Sequence, residues 1–115
     1  MMYFAQSKIK FGSLFKPIDI IETTTESLTT LGGPTAGLWD SEKRAIHVAL
    51  DDFATPEFIL MHELVHAIDT LCETTETAEA KADLFGAILL SLIRENKDLI
   101  FQLIGQHYAE DSIYK

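Results

Sequence analysis

The sequence predicts an α+β fold: an N-terminal antiparallel sheet or hairpin, then a helix carrying the candidate site, then two further helices. Strand-like alternation and turn residues are confined to roughly the first half, and apolar runs at helical spacing fill the rest. Strands followed by helices, without regular βαβ alternation, mark the α+β class. The 115 residues suffice for one hydrophobic core, so the chain reads as a single domain over 1–115.

The opening MMYFAQSKIKFGSLF has neither the continuous apolar segment nor the small-residue cleavage site of a signal peptide. No apolar run reaches the roughly 20 residues that span a bilayer, so no membrane partner is expected. Cys72 is the one cysteine, which excludes an internal disulfide. With no export signal, a lone thiol points to a reducing, cytoplasmic setting, and Cys72 reads as a packed thiol near a helix end. Charge is uneven. Lys8, Lys10 and Lys16 give +3 over residues 1–16, and with a chain total of −9 the remainder carries −12. A body so acidic repels phosphate backbones, so no nucleic-acid partner is expected.

IETTTESLTTLGGPTAG reads as a β-prone stretch running into a turn at Gly32, Gly33 and Pro34. In GLWDSEKRAIHVAL, Leu38 and Trp39, a polar DSEK turn, and alternating Ile46, Val48 and Leu50 predict a hairpin. His47 and Ala49 take the opposite face. As an edge strand next to a site, the strand with Ile46 and Val48 would hold an extended peptide by main-chain pairing.

DDFATPEF opens a helix: Thr55 caps, Pro56 suits the first helical position, and Glu57 complements the positive helix end. Leu60, Leu64, Ile68 and Leu71 carry it to about residue 71. CETTETAE is a polar connector with capping threonines. A second helix spans about 77–95, and Asn96 ends it as a residue that tolerates left-handed backbone. Leu99, Ile100, Leu103 and Ile104 mark a third helix to near Tyr108, and the tail AEDSIYK reads as loosely held. Leu84, Phe85, Ile88, Leu89, Leu92, Ile93, Ile100 and Leu103 read as core. So many apolar positions leave monomer and homodimer both open.

The first helix contains His62-Glu63-Leu64-Val65-His66. Positions i and i+4 stand about 40° apart around a helix and one turn along it. Both imidazoles therefore leave one face and can grip a single Zn²⁺. Glu63, adjacent to the first histidine, can lean over the ion without binding it and take a proton from water. Packing alone explains the pattern poorly, because polar groups in mid-helix are costly to bury.

A catalytic zinc needs a third protein ligand and one open position. Downstream candidates are Glu73, Glu76, Glu79 and Asp83, with Cys72 and His107 as outsiders. Glu73 is too close to the helix end to fold back easily, and Glu76 lies in the connector. Twelve residues separate Glu79 from His66, which lets one helix finish, the chain turn, and a second helix bring a carboxylate alongside. Asp83, one turn later, is placed to accept the N–H of a ligand histidine and fix its tautomer. Asp69 is a lesser candidate for the same task.

HELVH followed by EAKAD resembles the gluzincin clan of zinc peptidases, whose signature is HExxH and then E-x-x-x-D. ETAEAKADLFGAILL is similar to the ImmA/IrrE-type branch found in phages and mobile elements. Ala82, Asp83, Phe85 and Gly86 stand where that branch has an Ala-Asn or Ala-Asp pair and a Phe-Ala. GLWDSEKRAIHVAL also resembles the strand pair leading into HExxH in small phage-encoded members. The likeness covers about residues 37–96, the HExxH core, and leaves 97–115 as a C-terminal helix and tail.

The resemblance implies a small zincin-like domain acting as a zinc metalloendopeptidase on a protein or peptide substrate. His62, His66 and Glu79 would be the metal ligands, Glu63 the general base, zinc-bound water the nucleophile and Asp83 the histidine orienter. The donor to the oxyanion is left open among His107, Tyr108, His47 and Tyr3, each of which reads first as a surface or boundary residue. Trp39 reads as an aromatic that packs the sheet onto the helices, ahead of a role as a wall of the cleft. Two other readings stand beside this one. One is a non-catalytic metal-binding interaction or regulatory protein on the same scaffold. The other is a latent peptidase whose tail, HYAEDSIYK, lies in the cleft with Glu110 or Asp111 near the metal.

Overall fold

The structure, a computed structural model, describes the backbone of residues 2–32 and 35–114 and the side chains of residues 2–30 and 35–105. Its elements are β1 (Lys8–Ile9), β2 (Ile18–Thr23), α1 (Thr25–Gly32), β3 (Gly37–Asp40), β4 (Ala45–Ala49), α2 (Pro56–Cys72), α3 (Ala78–Glu95) and α4 (Lys97–Tyr114). The fold is α+β, with a four-stranded sheet in the order β1-β2-β4-β3. β1/β2 and β3/β4 are antiparallel, but β2 runs parallel to β4. The sheet is therefore mixed, where the sequence predicts an antiparallel one.

The cause is α1, which occupies a stretch expected to be β-prone. Thr24 Oγ1 accepts from the Ser27 amide at 3.2 Å, and the Asp51 carboxylate accepts from the Thr25 amide at 2.9 Å and the Thr25 hydroxyl at 3.2 Å. Glu26 lies in the first turn and Leu28 is fully buried. Capping of this kind outweighs the modest helix propensity of threonine. The Thr25 amide also holds the Asp51 carboxyl below its ordinary value, since the bond favours the charged form. α1 carries the chain past one strand position so that β3 enters at the edge, and β4, turning back from β3, inserts beside β2 and runs parallel to it.

The β3–β4 hairpin forms as expected, with Gly37 opposite Val48 and Trp39 opposite Ile46. Asp40 Oδ1 accepts from the Lys43 amide at 3.1 Å, and Arg44 closes the turn at φ 50°. β4, however, is flanked by β2 and β3. The strand with Ile46 and Val48 is interior, and the free edge beside the helices belongs to β3.

The buried cluster joins Ile18 and Ile20 of β2, Ile46 and Val48 of β4, and Ile59, Leu60, Leu64 and Ile68 of α2. Phe4, Ile9 and Phe11 close it from the N-terminal arm, and Ile88, Leu92 and Leu99 from α3 and α4. Asn96, 1% exposed, binds these parts together. Its Oδ1 accepts from Gln6 Nε2 and the Lys10 amide, both at 2.7 Å. Its Nδ2 donates to the carbonyls of Lys10 at 2.8 Å and Leu92 at 3.0 Å. Asn96 does end α3, but at φ −128°, so its side-chain bonds and not a left-handed backbone are the reason. α4 continues through the segment expected to be a loose tail, to Tyr114.

The apolar stripe of α3 is only partly covered. Ile88 and Leu92 are buried, whereas Phe85, Leu89 and Ile93 are exposed. No helix among the described residues is long and apolar enough to cross a membrane.

Candidate metal centre

α2 begins as its sequence dictates: Thr55 caps it, accepting from the Phe58 amide at 3.4 Å, and Pro56 opens the first turn. Its buried positions, Ile59, Leu60, Glu63, Leu64, Ala67, Ile68 and Cys72, recur at helical spacing and form the stripe that faces the sheet. Glu63 belongs to that stripe. It is 9% exposed, one of two buried polar residues with Asn96 among the described residues.

His62 and His66 lie on the flank of the stripe and are both exposed. Their ring centroids are 5.0 Å apart with planes at 73°, and the Phe58 ring is 6.2 Å from that of His62. The two imidazoles thus stand together at the surface, as the one-turn spacing requires. Beside them a cleft of about 190 Å³ opens between α2 and the start of β3, lined by Thr35, Ala36, Gly37, Ala54, Phe58, Ile59, His62 and Glu63.

β3 runs along α2 and sets the far wall. Gly37 and Trp39 pair with Val48 and Ile46, so they share the sheet face that packs on the helix. Gly37 lies against Ile59 and Glu63. Trp39, half-buried, donates its indole N–H to Thr70 Oγ1 at 3.1 Å, and the Thr70 hydroxyl donates to the His66 carbonyl at 3.1 Å. Trp39 therefore clamps the edge strand to the helix rather than walling the cleft.

The remaining candidates are dispersed. Glu79 and Asp83 are exposed in the first turns of α3, which has no buried residue before Ile88. Among the described residues, no three His, Cys, Asp or Glu side chains are grouped so as to hold an ion. The structure sets His62 beside His66, places Glu63 on the cleft that His62 also lines, and groups no third ligand with the histidines among the described residues. In kind the histidine pair suits zinc, offering two nitrogen ligands from adjacent turns; it is two-thirds of a catalytic donor set.

Asp69, Glu73 and Glu76 are exposed, and Cys72 is a buried free thiol. His47 is half-buried on β4, on the sheet face opposite Ile46 and Val48 and so away from α2. The Tyr3 hydroxyl donates to Glu57 in the first turn of α2. The side chains of His107, Tyr108, Glu110 and Asp111 lie outside the described residues.

No family model matches the chain, and no curated protein or solved structure shows significant similarity to it. The functional reading therefore rests on the residues themselves. Sequence reasoning passed over Gly37. The available signal was a glycine inside a strand, which often marks the close approach of another element.

Proposed function

We propose that the protein is a zinc-dependent metallopeptidase that hydrolyses peptide bonds in a protein or peptide substrate. The carrying observation is the exposed His62–His66 pair, with ring centroids 5.0 Å apart, beside a cleft that Glu63 also lines. Zinc would be held by His62 and His66, with Glu79 as third ligand and Asp83 orienting a histidine. When bound, zinc would polarise the scissile carbonyl and acidify the attacking water.

The chain's own groups supply the rest. Glu63, held in the cleft next to His62, takes the proton of the attacking water and passes it to the leaving amine. The free edge of β3, rather than the strand with Ile46 and Val48, offers main-chain groups to an extended peptide. Glu79 lies in the first turn of α3, ahead of Leu84, the first residue of that helix to pack on the core, so a local shift of residues 78–83 could bring it toward the pair.

A peptide-pool digestion with metal analysis tests this. Wild type should carry one zinc and cleave; Glu63→Gln should keep the zinc and the fold and lose cleavage. A Glu63→Gln protein that hydrolyses a confirmed substrate at the wild-type rate refutes the mechanism. The histidine pair has no third ligand grouped with it among the described residues, which favours one second reading, a metal-binding interaction protein without catalysis. Chelation separates the two: a catalytic site loses and regains zinc while folded, whereas a structural one unfolds.

A further inference from the structure

We propose that Gly37 is a positioning residue for Glu63. The missing side chain at this point of β3 is the space in which the glutamate lies, and it keeps the carboxylate in the cleft beside His62. The consequence for catalysis rests on the peptidase reading; the geometry rests on the packing of β3 against α2.

A Cβ added at Gly37 would stand 2.7 Å from Ile59 Cγ2, 2.9 Å from Glu63 Cγ and 3.1 Å from Glu63 Oε2. Non-bonded carbons settle at about 3.5–4.0 Å, so Ile59 and Glu63 would both have to move. The requirement is one of space and not of backbone. Among the described glycines the left-handed conformation belongs to Gly12, at φ 60°, and not to Gly37. Nor is the crowding general, since a Cβ at Gly86 or Gly105 meets nothing within 4 Å.

Glu63 sits on the sheet-facing stripe of α2, where an ordinary strand residue would displace it. With glycine opposite, the glutamate stem packs directly on the β3 backbone while its carboxylate lines the cleft that His62 also lines. A long side chain with several rotors is thereby held to one path. Holding matters for a general base, which must stay within hydrogen-bond reach of the proton it takes. A displacement of about 1 Å at such a group can cost on the order of 10²-fold in rate.

Two neighbours crowd the site, and they can be separated. Ile59→Leu removes the Cγ2 branch, so Gly37→Ala in that background leaves Glu63 as the group that must shift. The test compares Ile59→Leu with Gly37→Ala/Ile59→Leu, following the Glu63 side-chain carboxyl ¹³C resonance, assigned by its loss in Glu63→Gln. Contacts between the protons of residue 37 and the Glu63 γ protons are recorded alongside.

The double variant should melt near the Ile59→Leu temperature yet show a displaced Glu63 carboxyl resonance. On a cleaved peptide, kcat should fall about 10²-fold and KM should change less than about twofold. A Glu63 resonance and kcat that match the Ile59→Leu protein overturn the proposal. If the wild type cleaves nothing, the peptidase reading fails by itself, while the resonance still decides whether Gly37 holds the carboxylate. Should the double variant not fold, Gly37→Ala/Ile59→Ala, with more room on that side, carries the same comparison.

Discussion

Replacing Asn96 by alanine tests the arrangement that holds the N-terminal arm to the helices. The side chain is 1% exposed and makes four hydrogen bonds, to Gln6, to both backbone groups of Lys10 and to the Leu92 carbonyl. At about 1 kcal/mol net for each bond, the direct loss is about 4 kcal/mol. Water can reach part of the Lys10 side and recover some of it, which brings the expected destabilisation to about 3 kcal/mol. For a domain of this size that corresponds to a fall in Tm of about 10 °C.

Urea titration followed by circular dichroism measures the loss, and amide exchange localises it to Lys10. Asn96→Asp separates bonding from packing, because it is nearly isosteric but turns an oxygen toward the two carbonyls that Nδ2 now serves. It should cost at least as much as alanine at neutral pH. A loss under about 1 kcal/mol for Asn96→Ala, below the net worth of even one or two bonds, with unchanged exchange at Lys10, would refute the reasoning.

Three further outcomes are expected. Thr77 caps α3, accepting from the Ala80 amide at 3.0 Å, and Thr77→Ala should remove about 1 kcal/mol of local helix stability. Because residues 78–83 are exposed and the first α3 residue to pack on the core is Leu84, the effect should appear as faster amide exchange over residues 79–83, with the urea midpoint nearly unchanged. Asp51 has its carboxyl pKa lowered in the folded state by the Thr25 amide, so its contribution is present above the ordinary value of 3.8 and is lost as pH falls below it. Asp51→Asn should therefore flatten this part of the acid-side loss of stability, measured by thermal melts across pH. His66→Ala should abolish tight zinc binding by calorimetry while leaving the melting curve of the metal-free protein nearly unchanged, since the ring is exposed.

Much of the helical half was legible in the sequence because its signals act within one turn. Thr55 starts α2 and Thr77 starts α3 by accepting hydrogen bonds from amides three residues on, and Pro56 fits the first turn of α2. The one-turn spacing that sets His62 beside His66 follows from helix geometry alone, whatever the helix packs against. The threonine-rich stretch misled for a related reason. Its β-branched composition was plain, but the Asp51 carboxylate that helps cap α1 arrives from 26 residues away.

What the sequence by itself determined is the chemistry on offer: the histidine pair, the adjacent glutamate, the hairpin and the limits of α2 and α3. Only the tertiary structure decided that β2 and β4 run parallel, that β3 takes the edge, and that Phe85, Leu89 and Ile93 stay uncovered. It alone put Gly37 under Glu63 and surrounded Asn96 with partners from the far end of the chain. Strand order, coverage and close approach depend on which distant segments meet, and residue types at short spacing carry no record of that.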